Sequence, residues 1–232
     1  MGLRVLLTSH EPLGQGLGGQ EVVRLAGGLA RWGHQVRVLL ADSSGAKEQA
    51  DSTGPKEDEE GRSAFSVRRL ICRPQYPKAD LAMHLPCFDP GPDGVHFCQL
   101  SEDQWQSYEM RFRQALQEEL QGFDPQVIHC QYAWIHAGLA LETGLPYLIS
   151  VWGPELEAAG RDRRFQALVE QTTVGAARLL VPEPSLALRL PAAARRTPGR
   201  VVVPPLHLED EASFGARMGQ LYLSVLEAWF GA

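Results

Sequence analysis

With 232 residues, 44% of them hydrophobic and 22% charged, the chain is long enough for one large globular domain or two small ones. Its net charge of −6 excludes a general polyanion-binding surface, so no nucleic-acid partner is expected. No run reaches the roughly 18 apolar residues of a membrane span. No signal peptide is expected from the opening residues. Cys72, Cys87, Cys98 and Cys130 contain no C-x-x-C pair, which points to reduced thiols, a cytoplasmic location and no metal site.

Residues 3 to 41 read as strand, glycine-rich loop, helix and strand. Arg4-Val5-Leu6-Leu7 is a short apolar run of strand length. A polar loop follows and ends in Gly14, Gly16, Gly18 and Gly19. The helix begins near Gly19 and carries Val22, Val23, Leu25, Ala26, Leu29 and Ala30 on one broad face. Gly33 stops it, and residues 35 to 40 form the second strand. The unit predicts two parallel strands joined by a right-handed crossover.

The glycine loop is the first candidate site. Free N–H groups at a helix start favour an anion, and open α/β sheets bind ligands at their carboxyl edge. Two readings follow from the residues alone. Gly14, Gly16 and Gly19 fit G-x-G-x-x-G, with Asp42 where a ribose-binding acid would stand, although residues 9 to 13 intervene where a dinucleotide fingerprint starts directly on its strand. The other is a plain structural loop.

Residues 43 to 63 lack apolar periodicity and carry an acidic run at 57 to 60, so a mobile surface loop is expected. Residues 65 to 71 form a third strand. Five prolines between 72 and 98 prevent any long helix, and packing is the simplest role for Phe88 and Phe97 there. Ser101 opens a helix through a capping box with Gln104. Trp105, Tyr108, Phe112, Leu116 and Leu120 make its buried stripe, and Gly122 ends it. Residues 124 to 131 form a strand with His129 and Gln131 on one face, Ile128 and Cys130 on the other. Tyr132, Trp134 and His136 follow at its carboxyl end. A helix at 137 to 142 leads to a strand at 146 to 151, which delivers Trp152-Gly153-Pro154-Glu155 to the same edge. A helix at 161 to 175, a strand at 178 to 181, a short helix from Ser185 and a strand at 200 to 205 complete the alternation. A last amphipathic helix carries Phe214, Met218, Tyr222 and Val225. The order implies an α/β fold: one Rossmann-like, doubly wound, mainly parallel sheet with helices on both faces.

Ser9-His10-Glu11-Pro12, Gly18-Gly19-Gln20-Glu21 and Trp32-Gly33-His34-Gln35-Val36 resemble the opening of a family 4 glycosyltransferase of the GT-B fold. The stretch FDPQVIHCQYAWIHAGLALETGLPYLISVWGPEL is similar to that family's later acceptor-domain motifs, with Trp152 where several members carry a histidine. The resemblance implies an acceptor domain over 1–206, including the mobile loop 43–63. It implies a C-terminal helix over 207–232 packing back on that domain, and a donor-binding domain that is absent. It implies a nucleotide sugar as donor, no tightly bound cofactor, and a sugar or glycan acceptor. Gly18 and Gly19 would lie at the donor diphosphate. His129, His136 and Glu155 would be the catalytic candidates, and His10, Tyr132, Trp134 and Trp152 the further substrate contacts. A donor-binding partner chain or a homodimer would complete the enzyme, and peripheral contact with a membrane is compatible. Two alternatives stand beside it: a non-catalytic binding or regulatory module, and a simple Rossmann nucleotide-binding protein.

Overall fold

The computed structural model describes residues 2–43, 65–90, 94–203 and 211–231. Seven strands form one sheet in the order β3-β2-β1-β6-β7-β8-β9, every neighbouring pair parallel. They are β1 (Arg4–Ser9), β2 (Gln35–Asp42), β3 (Ser66–Ile71), β6 (Val127–Gln131), β7 (Tyr147–Ser150), β8 (Arg178–Leu180) and β9 (Val201–Val202). A separate two-residue parallel ladder joins β4 (Pro86–Cys87) to β5 (Val95–His96), within the stretch expected to be loop.

Strand parity sends alternate residues to two cores. Leu6, Ile128 and Cys130 face a core built with α2 (Glu102–Gly122), α3 (Ile135–Glu142) and α5 (Arg163–Gly175). Val5, Leu7 and Val127 face the other, built with α1 (Gly16–Arg31) and α8 (Glu211–Phe230). Val22, Leu25, Ala26 and Leu29 of α1 meet Phe214, Met218, Tyr222 and Val225 of α8 there. The crossing is close: a Cβ on Gly215 would sit 2.3 Å from the backbone of Gly28. His34 completes this side. Its Nδ1 accepts the Leu3 N–H at 3.0 Å, and its ring lies under Gly219.

Local signals behave as read. The Ser101 hydroxyl accepts the Gln104 N–H at 3.2 Å, and the Gln104 side chain accepts the Ser101 N–H at 3.0 Å. Gly33 takes φ +79° after α1. The helix expected at 161 to 175 forms as α5, and an unexpected short helix, α4 (Pro154–Arg161), stands before it. Asp162 ends α4 and caps α5 by accepting the Arg164 N–H at 3.0 Å. The short helix at Ser185 is α6 (Pro184–Arg189), and a further turn, α7 (Ala192–Arg195), has no counterpart in the sequence reading. Apart from Ser43, the expected mobile loop lies outside the described residues. No described helix is long and apolar enough to cross a membrane, and all four cysteines are free thiols.

Candidate functional site at the carboxyl edge

The carboxyl ends of β1, β6 and β7 deliver the loops that carry nearly every candidate residue. After β1 the chain turns at Ser9, whose hydroxyl accepts the Glu11 N–H at 3.0 Å. The loop is tight, with Gly14 and Gly16 at positive φ and the Gly14 N–H bonded to the Gly19 carbonyl at 3.0 Å. A Cβ on Gly19 would lie 2.1 Å from the Pro12 carbonyl, and one on Gly18 would lie 2.8 Å from the Tyr132 ring. Both glycines are therefore required by the loop's own packing.

The free N–H groups of α1 point at an anion, and that anion belongs to the chain. Glu11 Oε2 accepts the Gly18 N–H at 2.8 Å and the Gly19 N–H at 3.1 Å. Glu11 Oε1 accepts the Tyr132 hydroxyl at 2.9 Å. Burial raises the Glu11 carboxyl above its ordinary range, and these three donors oppose that rise. The first turn of α1 holds no acidic residue, so Glu11 supplies the negative charge the helix dipole favours. Gly18 and Gly19 thus give their N–H groups to Glu11 and not, in this arrangement, to a donor diphosphate.

Tyr132 holds this position through an unusual backbone, φ +74° in a non-glycine residue, with its N–H on the Ser150 carbonyl at 2.8 Å. Its ring packs against Phe88 at 4.9 Å. Beside it Trp152, half-buried, donates its indole N–H to Gln131 Oε1 at 3.1 Å. The Gln131 amide nitrogen is buried and has no partner. Gly18, Gly19, Tyr132 and Trp152 therefore gather around Glu11 and Gln131, two residues absent from the sequence-derived site.

The other candidates lie deeper than the sequence implied. His129 is fully buried on the α8 face of the sheet, its Nδ1 2.6 Å from the Tyr222 hydroxyl and its Nε2 2.9 Å from Ser150 Oγ. Burial pulls it down to about 3, so it is neutral. His136 stacks on His10 at 3.7 Å and touches Phe112 at 4.0 Å, and burial lowers it to about 3 as well. His10 is also held low, by burial and then by His136, and its Nδ1 lies 2.8 Å from the Tyr108 hydroxyl. Trp134 is a core side chain stacked on Phe165 at 3.8 Å, with Phe88, Phe97 and Trp105 around it. Phe88 and Phe97 roof this cluster, the packing role expected of them. Parity and the aromatic roof turn these four rings inward.

Glu155 is fully buried too. Its carboxylate accepts the N–H groups of Trp152 at 3.0 Å, Gly153 at 2.8 Å and Ala133 at 3.5 Å. Burial pushes it up to about 7 against those donors. It ties the start of α4 to the loop after β6. Asp42 faces Arg69 at 3.3 Å, so the carboxylate of the dinucleotide reading is engaged in an ion pair. No group of metal-ligating side chains forms among the described residues.

A family model described as a glycosyl transferase 4-like domain matches residues 18–207. No curated protein is a significant match. Among solved structures, the fold is similar to two chains of sucrose-phosphate synthase from Thermosynechococcus elongatus. One is 14% identical with TM-score 0.54, covering 96% of this chain and 98% of that one. The other is 15% identical with TM-score 0.56, covering 86% of this chain and 47% of that one. UGT73P12 of Glycyrrhiza uralensis, solved with glycyrrhetinic acid 3-O-monoglucuronide, is 13% identical with TM-score 0.51, covering 97% of this chain and 54% of that one. This chain thus spans about half the length of the two longer structures. It matches one half of a GT-B fold.

Proposed function

This chain belongs to the glycosyl transferase 4-like domain family, and on that ground we propose that it is the acceptor-side half of a glycosyltransferase. The reaction would move a sugar from a nucleotide sugar to an acceptor hydroxyl. The proposed organisation is an acceptor domain over 1–206 with the helix over 207–232 belonging to it. A donor-binding half would come from a partner chain or from a second copy. Free cysteines suit a reducing compartment, and we place the protein in the cytoplasm.

One observation carries the reading. Two backbone N–H groups and a tyrosine hydroxyl converge on a single anionic group at the carboxyl edge of a parallel sheet. Transfer needs the leaving diphosphate stabilised and the two substrates held in line. A diphosphate at the start of α1 would take the donors that Glu11 now uses, so Glu11 must move aside for it.

The second reading, a non-catalytic binding module, is favoured by the burial of His129, His136 and Glu155, which leaves none of them able to take a proton from an acceptor. Titration calorimetry separates the two. Nucleotide sugars, free nucleoside diphosphates and reduced nicotinamide dinucleotide are titrated into the wild-type chain and into Gly19→Trp. The transferase reading expects nucleotide-sugar binding that Gly19→Trp weakens at least tenfold. Absence of nucleotide-sugar binding supports the binding module, and stoichiometric dinucleotide binding would support the simple Rossmann reading.

A further inference from the structure

The carboxyl edge continues past the glycine turn into a cleft beside the ends of β2 and β3. It encloses about 460 Å³ and is walled by Ser43, Cys72, Arg73, Gln75, His84 and Leu85. Its exposed polar side chains are a hydroxyl, a guanidinium, an amide and an imidazole, each able to donate a hydrogen bond, and none is a carboxylate. The two carboxylates that flank Cys72 are engaged elsewhere. Asp42 pairs with Arg69 at 3.3 Å. Asp80 pairs with Arg111 at 2.6 Å, and its other oxygen accepts the Ile71 N–H at 2.8 Å. Arg73 is different. Its guanidinium lies 5.6 Å from the Tyr76 ring centre, within cation–π range, and no carboxylate among the described residues pairs with it. Gln75 sits at φ +58°, a backbone conformation that costs energy outside glycine and is met often at ligand sites. Among the described residues the wall of the cleft therefore carries one guanidinium and no carboxylate, on a chain whose net charge is −6.

We propose that this cleft receives the anionic group of a carboxylate- or phosphate-bearing sugar, with Arg73 as the principal contact. The inference deepens the acceptor-side reading and rests on it. A guanidinium presents parallel N–H donors that match two oxygens of a carboxylate or phosphate. The Ser43 hydroxyl, the Gln75 amide and the His84 imidazole remain for the other oxygens of the sugar. Two strands separate β3 from β6 in the sheet, and the glycine turn follows β1 between them. The cleft and the turn thus lie along one edge, as an acceptor and a donor must.

The test titrates the full chain with glucuronic acid, glucose 6-phosphate and glucose, followed by amide chemical shifts. Binding of an anionic sugar at least tenfold tighter than glucose is expected. Arg73→Gln should lose that binding at least tenfold with an unchanged melting temperature. Glucuronic acid against glucose 6-phosphate tells which anion the cleft takes. Equal binding of glucose, full affinity in Arg73→Gln, or no shift with either anionic sugar at millimolar concentration overturns the proposal. The nucleotide-sugar titration fails or succeeds separately. Anionic-sugar binding through Arg73 without nucleotide-sugar binding keeps the cleft and removes the transferase reading, whereas the reverse removes only the cleft.

Discussion

Replacing Gly215 with leucine is expected to detach α8 from α1 and to cost the chain about 3 kcal/mol of stability or more, the upper end of core overpacking. The cause is backbone contact. A Cβ at this position would come within 2.3 Å of the Gly28 carbonyl group and 2.6 Å of its Cα. Neither helix has a flexible side chain there to move aside, so the axes must separate. Separation uncovers Phe214, Met218, Tyr222 and Val225 together with Val22, Leu25 and Leu29. Each large side chain lost from a core gives up about 1.5–3 kcal/mol. It also pulls the Tyr222 hydroxyl from His129, leaving a buried imidazole nitrogen without its partner. Urea unfolding of the variant should show a much lower midpoint and new binding of a hydrophobic dye. An unchanged midpoint would mean that α8 is not part of this domain's core.

Acid should leave stability nearly level from pH 7 to 5 and then remove it steeply. His10, His129 and His136 are held below their ordinary 6.5 in the folded chain, chiefly by burial. Below pH 6.5 the unfolded chain binds protons that the folded chain refuses, so each histidine subtracts about 1.4 kcal/mol per pH unit as pH falls. Glu21 and Glu155 act in the opposite sense. Burial raises both from 4.5 to about 7, so between pH 7 and 4.5 the folded chain binds the extra protons and gains stability. From pH 7 to 5 His129 and His136 take away about 4 kcal/mol, the two glutamates return about 4, and His10 adds to the loss. Below 4.5 the glutamate contribution is constant, and His129 and His136 together remove about 3 kcal/mol per pH unit down to about pH 3, with His10 acting in the same direction. Folded chains of this size hold about 5–15 kcal/mol in total, so unfolding is expected above pH 3. Urea midpoints measured across this range check it. A straight decline from pH 7, or a midpoint still level at pH 3.5, about one unit into the steep region, would contradict the assignment of three neutral buried imidazoles.

Much of the fold was legible because its signals are local. The Ser101–Gln104 capping box, the glycine after α1 and the apolar runs of β1, β2 and β6 each depend on residues within one turn or one strand. The short helix α4 was missed although the signal that ends it at Asp162 is also local. Asp162 accepts the Arg164 N–H, a short-range bond that competes with helix continuation. The site was less legible, because its decisive contacts span the chain. Parity placed His129 opposite Ile128, but only the position of α8 shows that the His129 face is covered by Tyr222. His136 meets His10 across a sequence separation of 126, and no spacing rule brings them together. Glu11 lies seven residues before Gly18, and Tyr132 lies 121 residues beyond Glu11. A carboxylate in the loop ahead of a glycine-started helix was the available signal, because that helix start needs an anion and its first turn supplies none.

The central claim is that the start of α1 is an anion site that Glu11 keeps filled until a diphosphate displaces it. Calorimetric titration of UDP into the wild-type chain, Glu11→Ala and Glu11→Gln tests it directly, with circular dichroism confirming that each variant is folded. Removing the internal carboxylate should tighten UDP binding at least tenfold in both variants, and Gly19→Trp added to either should abolish the gain. Equal or weaker binding in folded Glu11→Ala and Glu11→Gln would contradict the account and leave Glu11 as a helix cap with no ligand to yield to.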